Sequence, residues 1–245
     1  MTELLKPQLS LNRIEGEPPL PTPKELSNIA EVYANAFAGE PWNEYTKCIE
    51  EGKYFGNTTQ PGDLCTCGST LLEAYPQQET EAYITGELAR PDASLFLLRD
   101  DTNDMIAGFT WGFSYANPEE FAAEKYQTEA MRERVVRVLG QQGINETFYY
   151  LSESAILNDP NYRGRGLSRQ LHQARLRVAA EKSLPAVQRT NAEGPMYRTS
   201  LKADMTQIMG PEVTVDTAAR TFTRTGVIIN DVTDSEIEPR VLFVK

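Results

Sequence analysis

The run Asp159-Pro160-Asn161-Tyr162-Arg163-Gly164-Arg165-Gly166-Leu167-Ser168 carries more information than any other in this chain. It follows Glu146 to Leu157, a stretch rich in aromatic and apolar residues that reads as a strand. It opens the segment Gly166 to Lys182, in which Leu167, Leu171, Ala174 and Val178 recur at the steps of one helical face. A helix N-terminus offers unpaired backbone N–H groups and the positive end of the helix dipole. Glycines let an anion approach those groups closely, and Arg163 and Arg165 add positive charge. The local chemistry is that of a cradle for a pyrophosphate. No Gly-Lys-Ser/Thr closes the loop, so it is not a P-loop, and no Gly-x-Gly-x-x-Gly is present, which argues against a dinucleotide-binding unit.

Working outward, the pattern is mixed α and β in one domain spanning residues 1–245. Residues 1–23 hold five of the fifteen prolines and read as an irregular arm. Lys24 to Ala38 shows the spacing of an amphipathic helix, stopped by Gly39 and Pro41. Residues 43–76 read as a loop-rich insertion that carries all three cysteines. Gln77 to Ala89 is expected to be helical, and Ser94 to Leu98 with Met105 to Ser114 to form a hairpin. Pro118 to about Leu139 reads as one inserted helix. Pro185 to Arg189 is expected as a short strand, Glu193 to Lys202 as a helix, and Arg220–Ile229 and Arg240–Val244 as strands.

The turn resembles the cofactor motif of the GCN5-related N-acetyltransferases, Arg/Gln-x-x-Gly-x-Gly/Ala, here Arg163 to Ser168 with serine at the last small position. The resemblance implies an α/β acyl-CoA N-acyltransferase fold, with a mixed central sheet that splays to admit the pantetheine arm. It implies acetyl-CoA as co-substrate. The amides of Arg163, Gly164, Arg165, Gly166, Leu167 and Ser168 would hold the pyrophosphate, and Ile156, Leu157 and Asn158 would pair with the pantetheine. Asn191, on the next strand, matches a cofactor-contacting asparagine of the family and is equally suited to a turn. Glu153 falls where the family commonly has a general base, and an ion pair would also explain it. Ser200 stands where the family's acid tyrosine would be. Tyr197, one turn earlier, is the substitute candidate, with core packing as the other reading and solvent as the other acid.

The resemblance therefore points to acetyl transfer to a small-molecule or peptide amine. The alternative, prompted by Ser200, is a non-catalytic acyl-CoA-binding or regulatory protein on the same scaffold. The net charge of −11 counts against nucleic acid and anionic membranes and suits a cationic acceptor. No apolar run approaches the ~20 residues of a spanning helix, and no signal peptide is evident, so the expected location is cytoplasmic. A C-terminal edge strand could pair two copies into a homodimer. The lone His172 reads as structural.

Cys48, Cys65 and Cys67 form a separate constellation. Sixteen residues separate the first two, and Gly68 follows the third. Glu51-Gly52 stands where a zinc ribbon would have its second Cys-Gly. A structural zinc site of three thiolates and the Glu51 carboxylate, a decayed site, or three unligated thiols fits this spacing.

Overall fold

The structure is a computed structural model. It describes residues 7–39, 42–162, 164–216, 221–229 and 240–245, with backbone alone for 212–216 and 221–229. In chain order the elements are β1 (Leu9–Ile14), α1 (Pro23–Ala38), β2 (Thr46–Cys48), β3 (Lys53–Phe55), β4 (Leu72–Glu73), α2 (Gln77–Leu88), β5 (Ser94–Asp100) and β6 (Met105–Tyr115). They continue with α3 (Pro118–Lys125), α4 (Glu129–Gln141), β7 (Phe148–Tyr150), β8 (Ser154–Ile156), α5 (Leu167–Glu181), β9 (Ala186–Asn191), α6 (Pro195–Lys202), β10 (Thr206–Asp216), β11 (Thr221–Ile229) and β12 (Arg240–Val244). They fall into two compact units, residues 1–110 with 153–171 and residues 111–152 with 172–245.

In the first unit β1 runs antiparallel to β5, from Leu9 opposite Asp100 to Ile14 opposite Leu95. The stretch expected as an irregular arm thus contains a strand. Its alternating Leu9 and Leu11 pack on the cluster of Leu98, Ala107, Tyr162, Leu167 and Leu171. The prolines flank this strand instead of interrupting it. Leu171 is fully buried in this cluster, and Leu171→Ala would cost about 2–5 kcal/mol. Helix α1 begins at a capping box, with Thr22 Oγ1 accepting from Glu25 N–H while the Glu25 carboxylate accepts from Thr22 N–H. The insertion is not all loop: β2 pairs antiparallel with β3 and with β4.

The second unit orders its strands as β6, β7, β9, β12, β10, β11. The pair β7 and β9 is parallel; the other pairings are antiparallel. The segment expected as one helix from Pro118 is two. Thr128 accepts from Met131 N–H and caps α4 afresh, because α3 ends at Tyr126. Strand β10 was not anticipated. Gly210-Pro211 lies within it, where its pairing with β11 slips between Pro211 and Val213, and a bulge is where a strand tolerates such residues. Among the described residues no helix is long and apolar enough to cross a membrane.

Candidate active site

The expected strand Glu146–Leu157 is broken into β7 and β8, with Leu151, Ser152 and Glu153 between them. In the first unit β8 pairs antiparallel with β6, Ile156 opposite Gly108 and Ser154 opposite Thr110. Leu157 N–H continues this ladder to the Ala107 carbonyl at 2.9 Å. Antiparallel bonding alternates along a strand, so the Ile156 amide faces the other edge. Among the described residues no strand pairs with that edge. Asn158 N–H is already taken by Asn35 Oδ1 at 3.1 Å.

The chain then turns tightly. Asp159 accepts from Asn161 N–H through Oδ1 and from Tyr162 N–H through its carbonyl. Tyr162 is anchored beneath, its hydroxyl donating to Asp100 at 2.9 Å. Burial, then this hydrogen bond, pushes the Tyr162 phenol up to about 12. Burial works against the Asp100 charge, yet hydrogen bonds from Tyr162, Thr102 and Asn103 hold its carboxyl below the usual range. Together they form a fixed foot under the turn.

Gly164 and Gly166 both adopt φ of +72°, and nothing stands within 4 Å of where a side chain would begin on either. That region of φ suits glycine, and the space beside it suits a ligand. The Gly166 carbonyl accepts from Arg169 and Gln170 N–H, making Gly166 the cap of α5. Among the described residues, none accepts a hydrogen bond from the amides of Gly164, Arg165, Gly166, Leu167 or Ser168. Arg163 lies outside the described residues. Arg165 reaches the carbonyls of Asn161 and Pro7, at 3.4 and 3.1 Å, so it ties the N-terminal segment to the turn. Leu167 is buried in the core cluster, which seats the helix start.

Glu153 is half-buried. Its carbonyl accepts from Thr110 Oγ1 at 2.9 Å, and its Oε1 lies 3.5 Å from the Tyr83 hydroxyl. A second carboxylate, Glu44, accepts a short hydrogen bond from the Tyr75 hydroxyl. Tyr33 joins the two. Its ring meets Tyr75 at 5.2 Å and Tyr83 at 5.9 Å, and Tyr54 stacks beyond Tyr75 at 6.1 Å. Burial first, then the charges of Glu153 and Glu44 among its neighbours, drives the Tyr33 phenol well above its ordinary range. Tyr33 is 7% exposed, while Tyr54 and Tyr83 open to solvent at 48% and 40%. Two carboxylates among four tyrosines can bind a cation by charge and by ring faces. This cluster draws on α1, the insertion, α2 and the bend before β8, and sequence reading found only Glu153. Tyrosine enrichment between residues 33 and 83 was the one available signal.

The remaining candidates lie in the second unit. Asn191 ends β9 and accepts from Glu193 N–H at 2.8 Å, a turn-capping bond. Tyr197 is 1% exposed; its hydroxyl donates to Gln207 Oε1 at 2.7 Å and its ring packs edge-on to Phe243. Ser200 is buried, with Oγ 2.7 Å from Gln188 Oε1 and 2.9 Å from the Met196 carbonyl. His172 is buried against Arg175, 3.4 Å from Nδ1. Burial, then the charges of Arg175 and Lys245, lowers its pKa to about 3, so it is neutral at pH 7.

In the insertion, Cys48, Cys65 and Cys67 converge with all Sγ atoms within 4.8 Å of one another. The Glu51 carboxylate is not among them and lies 2.8 Å from Lys53 Nζ.

The chain has the fold of the GCN5-related N-acetyltransferases, as the residues of the turn led one to expect. A mosquito arylalkylamine N-acetyltransferase like 5b superimposes with a TM-score of 0.54 at 13% identity, over 97% of this chain and 99% of that one. Arylalkylamine N-acetyltransferase 2 from Aedes aegypti gives 0.51 at 16% identity, over 97% and 98%. The Drosophila melanogaster polyamine N-acetyltransferase gives 0.53 at 9% identity, over 96% and 99%. At such identities the likeness concerns the fold. No protein-family model and no curated protein matches the sequence.

Proposed function

We propose that this protein transfers an acetyl group from acetyl-CoA to a cationic amine. The observation that carries the reading is the unpaired edge of β8 leading into a helix N-terminus whose first amides have no acceptor among the described residues. An extended amide-bearing chain on that edge would be followed, within one turn, by a place for two negative charges. The pantetheine arm and pyrophosphate of acetyl-CoA have that order of groups. The open space beside Gly164 and Gly166 fits the same ligand. Acetyl-CoA supplies an activated thioester; the protein supplies position and proton transfer.

The Ile156 amide binds the pantetheine, and the amides of Gly164 to Ser168 bind the pyrophosphate. Glu44 and the rings of Tyr33, Tyr54, Tyr75 and Tyr83 draw in the protonated acceptor. Glu153, directly or through water, takes the ammonium proton, and the freed amine nitrogen attacks the thioester carbonyl. The C–S bond breaks as the C–N bond forms, and the sulfur is protonated from solvent. Tyr197 has its hydroxyl on Gln207, which favours solvent as that acid. The small-molecule neighbours act on arylalkylamines and polyamines by name, which agrees with an aromatic and acidic acceptor site.

Calorimetric titration with acetyl-CoA, followed by a panel of cationic amines, tests the reading. Micromolar binding with turnover of at least one amine supports it. Binding with no turnover on the whole panel would instead favour a regulatory acyl-CoA-binding protein. Absence of binding would remove the proposal.

A further inference from the structure

Residues 43–76 have little from which to build a core. Their buried cluster is Cys48, Cys65 and Leu71, with Phe55 packed against it, so most of its buried members are thiols. Cys48 ends β2 opposite Lys53, at the mouth of the β2–β3 hairpin. Cys65 and Cys67 occupy a second tight turn, closed by Cys65 N–H to the Ser69 carbonyl and by Gly68 N–H to the Cys65 carbonyl, each at 2.8 Å. Each turn holds a glycine in the left-handed region. Gly52, four residues after Cys48, has φ of +63°, and Gly68, directly after Cys67, has φ of +88°.

Two turns distant in sequence thus deliver three sulfurs to one point, with Cys48 and Cys67 Sγ 3.5 Å apart. Sulfurs bound to one tetrahedral zinc at about 2.3 Å lie about 3.8 Å from each other, and the pair is already near that spacing. Thiolates are soft ligands and a metal-bridged insertion needs no larger apolar core, which selects zinc over the hard, oxygen-seeking cations.

We propose that Cys48, Cys65 and Cys67 bind one zinc ion and that this ion holds the insertion together. Three Zn–S bonds form as three thiol protons pass to solvent. The Lys53 ammonium, beside Glu51 and acted on by Cys65 and Cys48, offsets the net negative charge of the unit. Because Glu51 is engaged by Lys53, the fourth position goes to water on the exposed side of Cys67. The site is independent of acetyl-CoA binding, and its test does not use activity.

The full chain, expressed with added zinc and purified under reductant, is assayed for metal by mass spectrometry. One zinc per chain is expected, and Cys65→Ser or Cys67→Ser should each lower it at least tenfold. If those variants fail to fold, the unmodified protein still decides the matter. Cobalt exchanged into it should give a thiolate-to-cobalt charge-transfer band, and X-ray absorption on the zinc form should show three sulfurs and one lighter atom. Absence of both zinc and the cobalt band would overturn the proposal. So would an intact mass lower by two hydrogens under non-reducing conditions, since that marks a disulfide between two of the three cysteines. Loss of zinc in Glu51→Gln would overturn the assignment of water to the fourth position.

Discussion

The glycine turn before α5 and the tyrosine–carboxylate cluster belong to the same compact unit, and they are built in opposite ways. The turn is a run of ten consecutive residues, Asp159 to Ser168, and almost everything it needs is local. It has glycines with left-handed φ, an Asp159 side chain that folds the loop on itself, and a leucine that seats the helix start. The cluster takes Tyr33 from α1, Glu44, Tyr54 and Tyr75 from the insertion, Tyr83 from α2 and Glu153 from the bend before β8. A function carried by backbone amides is written in short-range pattern. One carried by converging side chains has no pattern until the chain has folded.

That contrast can be attacked at four points. The largest effect is expected from Glu153→Gln, which removes the proposed base while keeping shape. It should lower kcat by about 10²–10⁴-fold, as general bases typically contribute, with acetyl-CoA affinity unchanged and residual activity rising with pH as the amine loses its own proton. Unaltered turnover would take Glu153 out of the chemistry and leave the cluster as a binding surface. Next, Gly166→Glu sets a carboxylate among the open amides and forces a side chain into left-handed φ. Acetyl-CoA affinity should drop by roughly 100-fold or more, about 2.8 kcal/mol at 1.4 kcal/mol per decade, as read by calorimetry on protein of native circular dichroism. Retained affinity would place the pyrophosphate elsewhere.

A smaller and more selective effect is expected in the tyrosine–carboxylate cluster, the proposed acceptor site. Glu44→Gln or Tyr83→Leu should raise KM for a cationic amine by about 3–30-fold, the range that cation–π and partly screened charge terms allow. The Kd for acetyl-CoA should not change. An equal loss for both substrates would mean that the cluster supports the fold instead of the acceptor. The smallest effect is that of Tyr197→Phe. It should cost about 1 kcal/mol of stability from the lost bond to Gln207, seen as a shift in denaturation midpoint, with kcat within about twofold of the unmodified protein. A fall of two decades in kcat would restore Tyr197 as the acid.

The tail and the insertion show where pattern reading stops. Leu9 and Leu11 alternate as an edge strand should, but the prolines around them suggested an arm, because local composition does not reveal that β5 has an edge to offer. Strand β10 was hidden by Gly210-Pro211, residues that weaken a strand on its own and are accommodated at a bulge between partners. Residues 43–76 looked loop-like since each of β2, β3 and β4 is three residues or fewer and has no period to read.

What one could take from the residue order alone was the fold class, the helix face of Leu167, Leu171, Ala174 and Val178, the glycine turn before it and the thiols that share one short insertion. These rest on neighbours in the chain, where spacing and backbone preference act directly. The edge of β8 that no described strand pairs, the burial of Tyr197 on Gln207, the meeting of three sulfurs and the ring of tyrosines around two carboxylates required the folded chain. Each depends on groups in different elements or turns, brought together across ten or more residues of chain. Their proximity is set by how strands and helices pack, and no local energy term encodes it.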